Sequence, residues 1–154
     1  MCYNLFKGPL SYHAAKEQCI QLTKEKGHSS LATVKTLKTH NFLINIIASV
    51  HKLPSCYDGA DCVWIGLETR ASPPTTDFFW VDGTPLSNNT FWNPGPQTGP
   101  PVPEPTPYDG ETAVQTNFGG LQRNGRLWNN RHPISESHYM CQMKIYEEII
   151  TVVE

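Results

Sequence analysis

Residues 92–111 read WNPGPQTGPPVPEPTPYDGE, and how this stretch is read decides whether the chain is one domain or two. Seven of these residues are proline, and bulky apolar side chains are nearly absent. Proline fixes φ and removes a backbone donor, so the stretch forms neither a helix nor an interior strand. Composition alone describes a linker between domains. Its ends describe something else: it begins at the aromatic pair Phe91-Trp92 and finishes on Glu104 and Glu111, with Asp109 between them. A stiff loop that presents acidic oxygens is a candidate ion site.

At 154 residues the chain has room for one domain with a substantial core. A net charge of -2 gives no basic footprint, which speaks against nucleic acid as a partner. No apolar run approaches the roughly 18 residues that span a bilayer, so the segment is not expected to insert into a membrane. Met1 is followed at once by Cys2 without an apolar leader, so the expectation is an excised domain whose targeting segment lies elsewhere.

The five cysteines are Cys2, Cys19, Cys56, Cys62 and Cys141, with no CxxC pair to suggest a zinc ribbon or a redox motif. Cys56 and Cys62 flank a turn-rich segment and suit a local bridge. Cys19 and Cys141 lie near the two ends and could staple them, a closure worth about 4–5 kcal/mol in the chain-entropy model. Cys2 is then left over. The alternative is five buried thiols, which the close Cys56/Cys62 spacing disfavours. Disulfides would place the chain in an oxidising, extracellular setting.

From the N-terminus, residues 2–6 form a short strand. Ser11 is an N-cap ahead of Tyr12, Ala15, Cys19 and Leu22 at helical spacing, and Gly27 is the expected stop. Leu31 to Val34 is a strand. Thr36 caps a second helix with Leu37, Leu43, Ile44 and Ile47 on its apolar face, ending before Pro54. Strands follow at Val63–Leu67, where Gly66 suggests close backbone approach, and at Phe78–Val81, closed by Asp82-Gly83. Three more lie at Thr112–Gln115, Leu127-Trp128 and His138–Ile145, with turn signals at Gly119-Gly120 and Asn124-Gly125. Helices first and short strands afterwards give an α+β fold. Residues 1–146 are taken as the domain and 147–154 as a tail or terminal strand extension.

The ordered set CYNLF (2–6), SYHAAKEQC (11–19), WIGL (64–67), FFWVDG (78–83), FW (91–92), LWNN (127–130) and YMCQ (139–142) resembles a C-type lectin-like domain over nearly the whole chain. The resemblance implies two short helices, a set of short mixed and antiparallel strands, and a long loop, here the proline-rich one. It also implies a Cys19–Cys141 bridge. In longer family members, a cysteine at the place of Cys2 pairs with one further upstream.

In sugar-binding members of that family, calcium is held by a Glu-Pro-Asn or Gln-Pro-Asp triplet with a cis peptide, a later Glu and a Trp-Asn-Asp segment. Residue by residue, Glu104-Pro105-Thr106 stands at the triplet, Glu111 at the later Glu, and Asn129-Asn130 at the Asn-Asp. The resemblance thus implies Glu104, Thr106, Glu111, Asn129 and Asn130 as metal ligands. Glu104, Thr106, Glu111 and Asn129 would also contact sugar, with Tyr108 as a stacking ring. Calcium takes six to eight hard oxygens, which carboxylates, amides and a hydroxyl supply, and Asp109 could add one. The triplet is nearer the mannose type than the galactose type.

This sequence departs from the pattern in three places. Asn130 replaces an Asp, Thr106 replaces an Asn, and Ala113 and the RHP after Asn130 leave no second inner disulfide. An alternative alignment puts Gly95-Pro96-Gln97 at the triplet, which supplies no carboxylate there. Two functions follow. One is a calcium-dependent carbohydrate-binding domain taking a carbohydrate or glycoprotein ligand. The other is a calcium-independent module of the same fold that recognises a protein or a surface.

The four tryptophans are expected in the core. His132 and His138 near Asn130 are surface residues or, less simply, metal ligands. No GxSxG, P-loop or HxxxH is present, so no enzyme is expected. Asn88-Asn89-Thr90 is a glycosylation sequon.

Overall fold

The computed structural model describes residues 1–24, 27–57, 61–74, 77–95, 103–119 and 126–145. Gly120, Asn124, Gly125, Pro96, Gln97 and the tail 147–154 lie outside the described residues. Among the described residues there are seven strands and two helices: β1 (Cys2–Leu10), α1 (Tyr12–Ile20), β2 (Ser29–Leu31), α2 (Leu37–Asn45, continued as a π-helical turn Ile46–Val50), β3 (Val63–Thr69), β4 (Phe78–Trp80), β5 (Ala113–Phe118), β6 (Leu127–Arg131) and β7 (Ser137–Met143).

The strands form one mixed sheet in the order β1-β7-β3-β5-β6, with β2 paired to β7 and β4 to β3. β3 and β7 run parallel, and the other strand pairs are antiparallel. The first strand therefore lies beside the last, and the Cys19–Cys141 disulfide ties α1 to β7. The second bridge is Cys56–Cys62, and Cys2 is free and exposed.

Both helices start where a hydroxyl can satisfy an orphan N–H. Ser11 Oγ accepts from Ala14 N–H and Thr36 Oγ1 from Thr39 N–H. The end of α1 differs from the sequence expectation. The helix stops at Ile20, where the Ser29 hydroxyl donates to the Ile20 carbonyl, and Leu22 is exposed. Gly27, at φ +84°, serves the turn into β2 instead. Pairing in β2 covers Ser29–Leu31, so Ala32 to Val34 continue beyond it. They are not loose: Ala32 N–H donates to Met140 O (2.8 Å) and Thr33 N–H to the Gln142 side chain (2.9 Å).

Alternation along β3 divides the core. Val63, Ile65 and Leu67 join the cluster under α2 with Trp80 and Trp128, while Trp64 packs with Tyr12 and the Cys19–Cys141 bridge under α1. Gly66 sits where a Cβ would lie 2.7 Å from Val81 Cγ2 and 2.9 Å from Leu31 O, so the close approach expected there is real.

Trp128 is the centre of the larger cluster, met edge-on by Phe91 (5.1 Å), Trp92 (5.5 Å) and Trp80 (5.7 Å). His40 of α2, 7% exposed, stacks on Phe91 at 4.2 Å. Burial lowers its pKa from the usual 6.5 to about 4. The unfolded chain binds this proton near pH 6.5, so the contribution is whole above that pH and is lost as pH falls towards 4. Replacing His40 with Phe is expected to keep the stack and remove this proton linkage. Urea unfolding at pH 7 and pH 4.5 should show the wild type losing about 1–2 kcal/mol more than the variant across that interval.

Candidate functional site

The long loop leaves the core along β6, the end strand of the sheet. Trp128 N–H donates to Phe91 O (2.8 Å) and Asn93 N–H to Trp128 O (3.0 Å), so the entry runs beside the strand. Glu104 N–H then donates to Asn93 O (2.8 Å). This bond closes a neck between Asn93 and Glu104. The chain returns to the strand at Glu104, whose peptide to Pro105 is cis, as the resemblance implies.

Past the neck, one side chain holds the loop. Asn130 is 0% exposed, and its amide reaches two stretches of backbone. Its Nδ2 donates to Thr106 O (2.8 Å) and Glu111 O (3.0 Å), and its Oδ1 accepts from Thr106 N–H (2.8 Å). A carboxylate could not donate to those carbonyls, so the departure from Asp has a structural counterpart here. Asn130 clamps the loop to β6 through bonds that an aspartate would need an intermediary to make.

The other four residues expected at the site converge beside this clamp. Thr106, 5% exposed, donates its N–H to Glu104 Oε2 (3.0 Å) and its hydroxyl to Glu111 Oε2 (2.7 Å), which links the two carboxylates. Asn129 directs its amide at Glu104. With nitrogen in that position it donates to Oε1 (2.8 Å) and Oε2 (3.1 Å) of Glu104 and to Asn130 O (3.2 Å). Burial pushes the Glu104 carboxyl up to about 7, and the negative charge of Glu111 adds to the rise, against the opposing Thr106 N–H.

Tyr108, 61% exposed, lines the cleft as well. Asp109 does not join: it accepts from the Ser72 hydroxyl, whose oxygen also takes the Gly110 N–H (3.2 Å). His132 packs against Gly110, and His138 faces Asp61 at 3.8 Å, so the two histidines are engaged separately. Trp64, Trp80 and Trp128 are core residues, as expected, with Trp92 half-buried against them.

Glu104, Thr106, Tyr108, Glu111 and Asn129 form one wall of a cleft of about 370 Å³. Three further lining residues were not foreseen from the sequence: Tyr57, Phe118 and Arg131. Tyr57 arrives on the Cys56–Cys62 loop, which is sewn to the end of β5. Cys56 N–H donates to Asn117 O and Gly119 N–H to Cys56 O, both at 2.9 Å. Asn117, in the left-handed region at φ 72°, sends its amide nitrogen to Pro54 O and Asp61 O, each at 2.8 Å. The sequence carried a signal in the close cysteines, but nothing in it said which loop the bridge would face.

No family model matches the chain, and no curated protein matches it by sequence. Solved structures do match by shape. The C-type lectin CEL-I from Cucumaria echinata is similar at 22% identity and a TM-score of 0.69, over 94% of this chain and 91% of that one. The C-type lectin domain of murine dendritic cell inhibitory receptor 2, solved in complex with an N-glycan, is similar at 20% identity and a TM-score of 0.64, over 94% and 91%. A Ca2+-dependent type II antifreeze protein in its Ca2+-free form is similar at 22% identity and a TM-score of 0.61, over 91% and 89%. The chain has the α+β fold of a C-type lectin-like domain.

The donor set suits a hard divalent cation. Among the described residues no three His, Cys, Asp or Glu side chains cluster, so two carboxylates are completed by amides and a hydroxyl, all through oxygen. Two facing carboxylates, one with a raised pKa, carry the charge that such an ion would balance. A half-turn of the Asn129 amide would present oxygen where its nitrogen now meets Glu104.

The Asn130 clamp makes its own prediction. Asn130→Asp removes both donated bonds and sets a buried charge against two carbonyls, so in chelator it should destabilise the fold by about 2–4 kcal/mol. Urea unfolding with EDTA measures this. A loss under 0.5 kcal/mol, roughly what an ordinary surface change costs, would mean that the amide is not what holds the loop.

Proposed function

We propose that the chain is a calcium-dependent carbohydrate-binding module, nearer the mannose type. The observation that carries this reading is the convergence of Glu104, Thr106, Glu111 and Asn129 on one cleft wall, with Asn130 holding the loop that presents three of them. Glu104, Thr106, Glu111 and Asn129 would hold the ion, with the buried Asn130 beneath them fixing the loop; the ion when bound offers unfilled positions to neighbouring sugar hydroxyls. The chain's own part is to accept from those hydroxyls with Glu104 and Glu111, to donate from Asn129, and to stack Tyr108 against the ring. Two of the solved structures of the same fold are described as a C-type lectin and as a lectin domain holding an N-glycan, which lends support.

The role is one of binding, not catalysis. We read the setting as extracellular: both disulfides favour an oxidising compartment, and Asn88 of the sequon is exposed and so accessible to glycosylation. The natural ligand would then be a glycan or a glycoprotein. No helix among the described residues is long and apolar enough to cross a membrane.

A second reading has its own observation. Asn130 already spends its amide on backbone, so the loop keeps its form without an ion. Calcium-independent recognition of a protein or surface through the same cleft fits that self-sufficiency.

Thermal unfolding with and without calcium separates the two. An ion at a hundred times its Kd stabilises the folded state by about 2.7 kcal/mol, which for a domain of this size raises Tm by roughly 5–10 °C. Glu104→Gln and Glu111→Gln should each abolish that rise, and chelator should release the wild type from immobilised sugar. No rise at millimolar calcium, with ligand binding intact in both variants, would establish the second reading instead.

A further inference from the structure

The residues lining the cleft are of two chemical kinds, and the proposed sugar contacts use the oxygen-bearing ones together with Tyr108. Elsewhere in the lining, the Tyr57 and Phe118 rings stack at 6.1 Å with 19° between their planes. Phe118 meets Tyr57 in near-parallel planes, and Tyr57 remains 59% exposed beside the cleft. This ring is not on a free loop. The Cys56–Cys62 bridge, the paired bonds from Cys56 to Asn117 and Gly119, and the Asn117 amide hold the segment that carries it. Arg126 in turn donates to Asn117 Oδ1 (2.6 Å) and Leu53 O (2.9 Å), bracing the same corner. An exposed aromatic face fixed in position costs little further ordering when it meets a ligand.

We propose that the Tyr57–Phe118 stack is a second sugar subsite, and that the ligand is at least a disaccharide whose outer residue lays an apolar C–H face on the Tyr57 ring. This rests on the carbohydrate-binding reading above. Three features favour a sugar as the occupant over a flat protein surface. The ring shares one concavity with the oxygen-rich wall, so a ligand held by Glu104 and Glu111 is brought alongside it. The volume of about 370 Å³ far exceeds what one ion needs and lies within the range of about 300–1,000 Å³ found for small-ligand sites. Sugars also present hydroxyl edges and apolar faces at once, which is the pairing that the oxygen-bearing and aromatic lining residues offer. The hydroxyls would meet the carboxylates and the apolar face would meet the aromatic ring.

The test is calorimetric titration in saturating calcium of methyl α-mannoside against α1,2-mannobiose, and of methyl galactoside against a galactobiose. The proteins are the wild type, Tyr57→Ala and Tyr57→Phe, each with both disulfides and an unchanged Tm. The wild type should bind one of the disaccharides about fivefold tighter than its monosaccharide, the scale of a single stacking contact. Tyr57→Ala should lose that advantage while holding monosaccharide affinity within about twofold. Tyr57→Phe, which keeps the ring, should retain it. Equal wild-type affinity for mono- and disaccharide, or an equal fall for both in Tyr57→Ala, overturns the subsite and leaves the carbohydrate-binding reading standing. If none of the four sugars binds the wild type, both readings fall together.

Discussion

The amide of Asn130 is the contact on which the site depends. Two carbonyls and one N–H of the long loop converge on it; the bonds to Thr106 are buried and the bond to Glu111 is partly so. An unpaired polar group in such a place costs about 1–3 kcal/mol, so three bonds made by one side chain constitute the main hold on this segment. The hold has a direction. By fixing Thr106, it fixes the residue whose N–H and hydroxyl join Glu104 to Glu111, and with them the spacing of the carboxylates. The spacing of these carboxylates is thus a consequence of backbone satisfaction one layer beneath them.

The rest of the sheet supplies the anchor for this clamp. Asn130 pairs with Val114 in β5, which pairs with β3, which runs beside β7 and the Cys19–Cys141 bridge. Trp128, two residues before Asn130, is the hub of the aromatic cluster. Position along β6 therefore divides labour at short range. Trp128 packs the core, Asn129 faces the cleft, Asn130 ties the loop and Arg131 lines the cleft beyond.

Much of this was legible where local chemistry decides. The caps at Ser11 and Thr36, the tight approach at Gly66 and the burial of Trp64, Trp80 and Trp128 follow from residue type and spacing. The stop of α1 did not, because Gly27 offered a plausible terminus while the real end was set by the Ser29 hydroxyl, a tertiary contact across the turn. The resemblance singled out oxygen-bearing residues that lie together in the structure, and it marked Thr106 and Asn130 as departures from its pattern. What those departures do was hidden: in sequence, Asn130 reads as a lost charge, and only its neighbours reveal a gained donor. Tyr57 was out of reach for the same reason. The spacing of Cys56 and Cys62 indicates a small closed loop but not where β5 will hold it.

The neck between Asn93 and Glu104 has a consequence for how such a chain can change. A single backbone bond brings the two ends of the enlarged stretch together before the site begins. For a flexible insertion, doubling the length costs only about 0.6 kcal/mol of closure entropy. Residues can therefore be gained or lost beyond the neck while Glu104 keeps its distance from Glu111. The chain has, in effect, a port for length variation placed beside its most exacting geometry yet insulated from it.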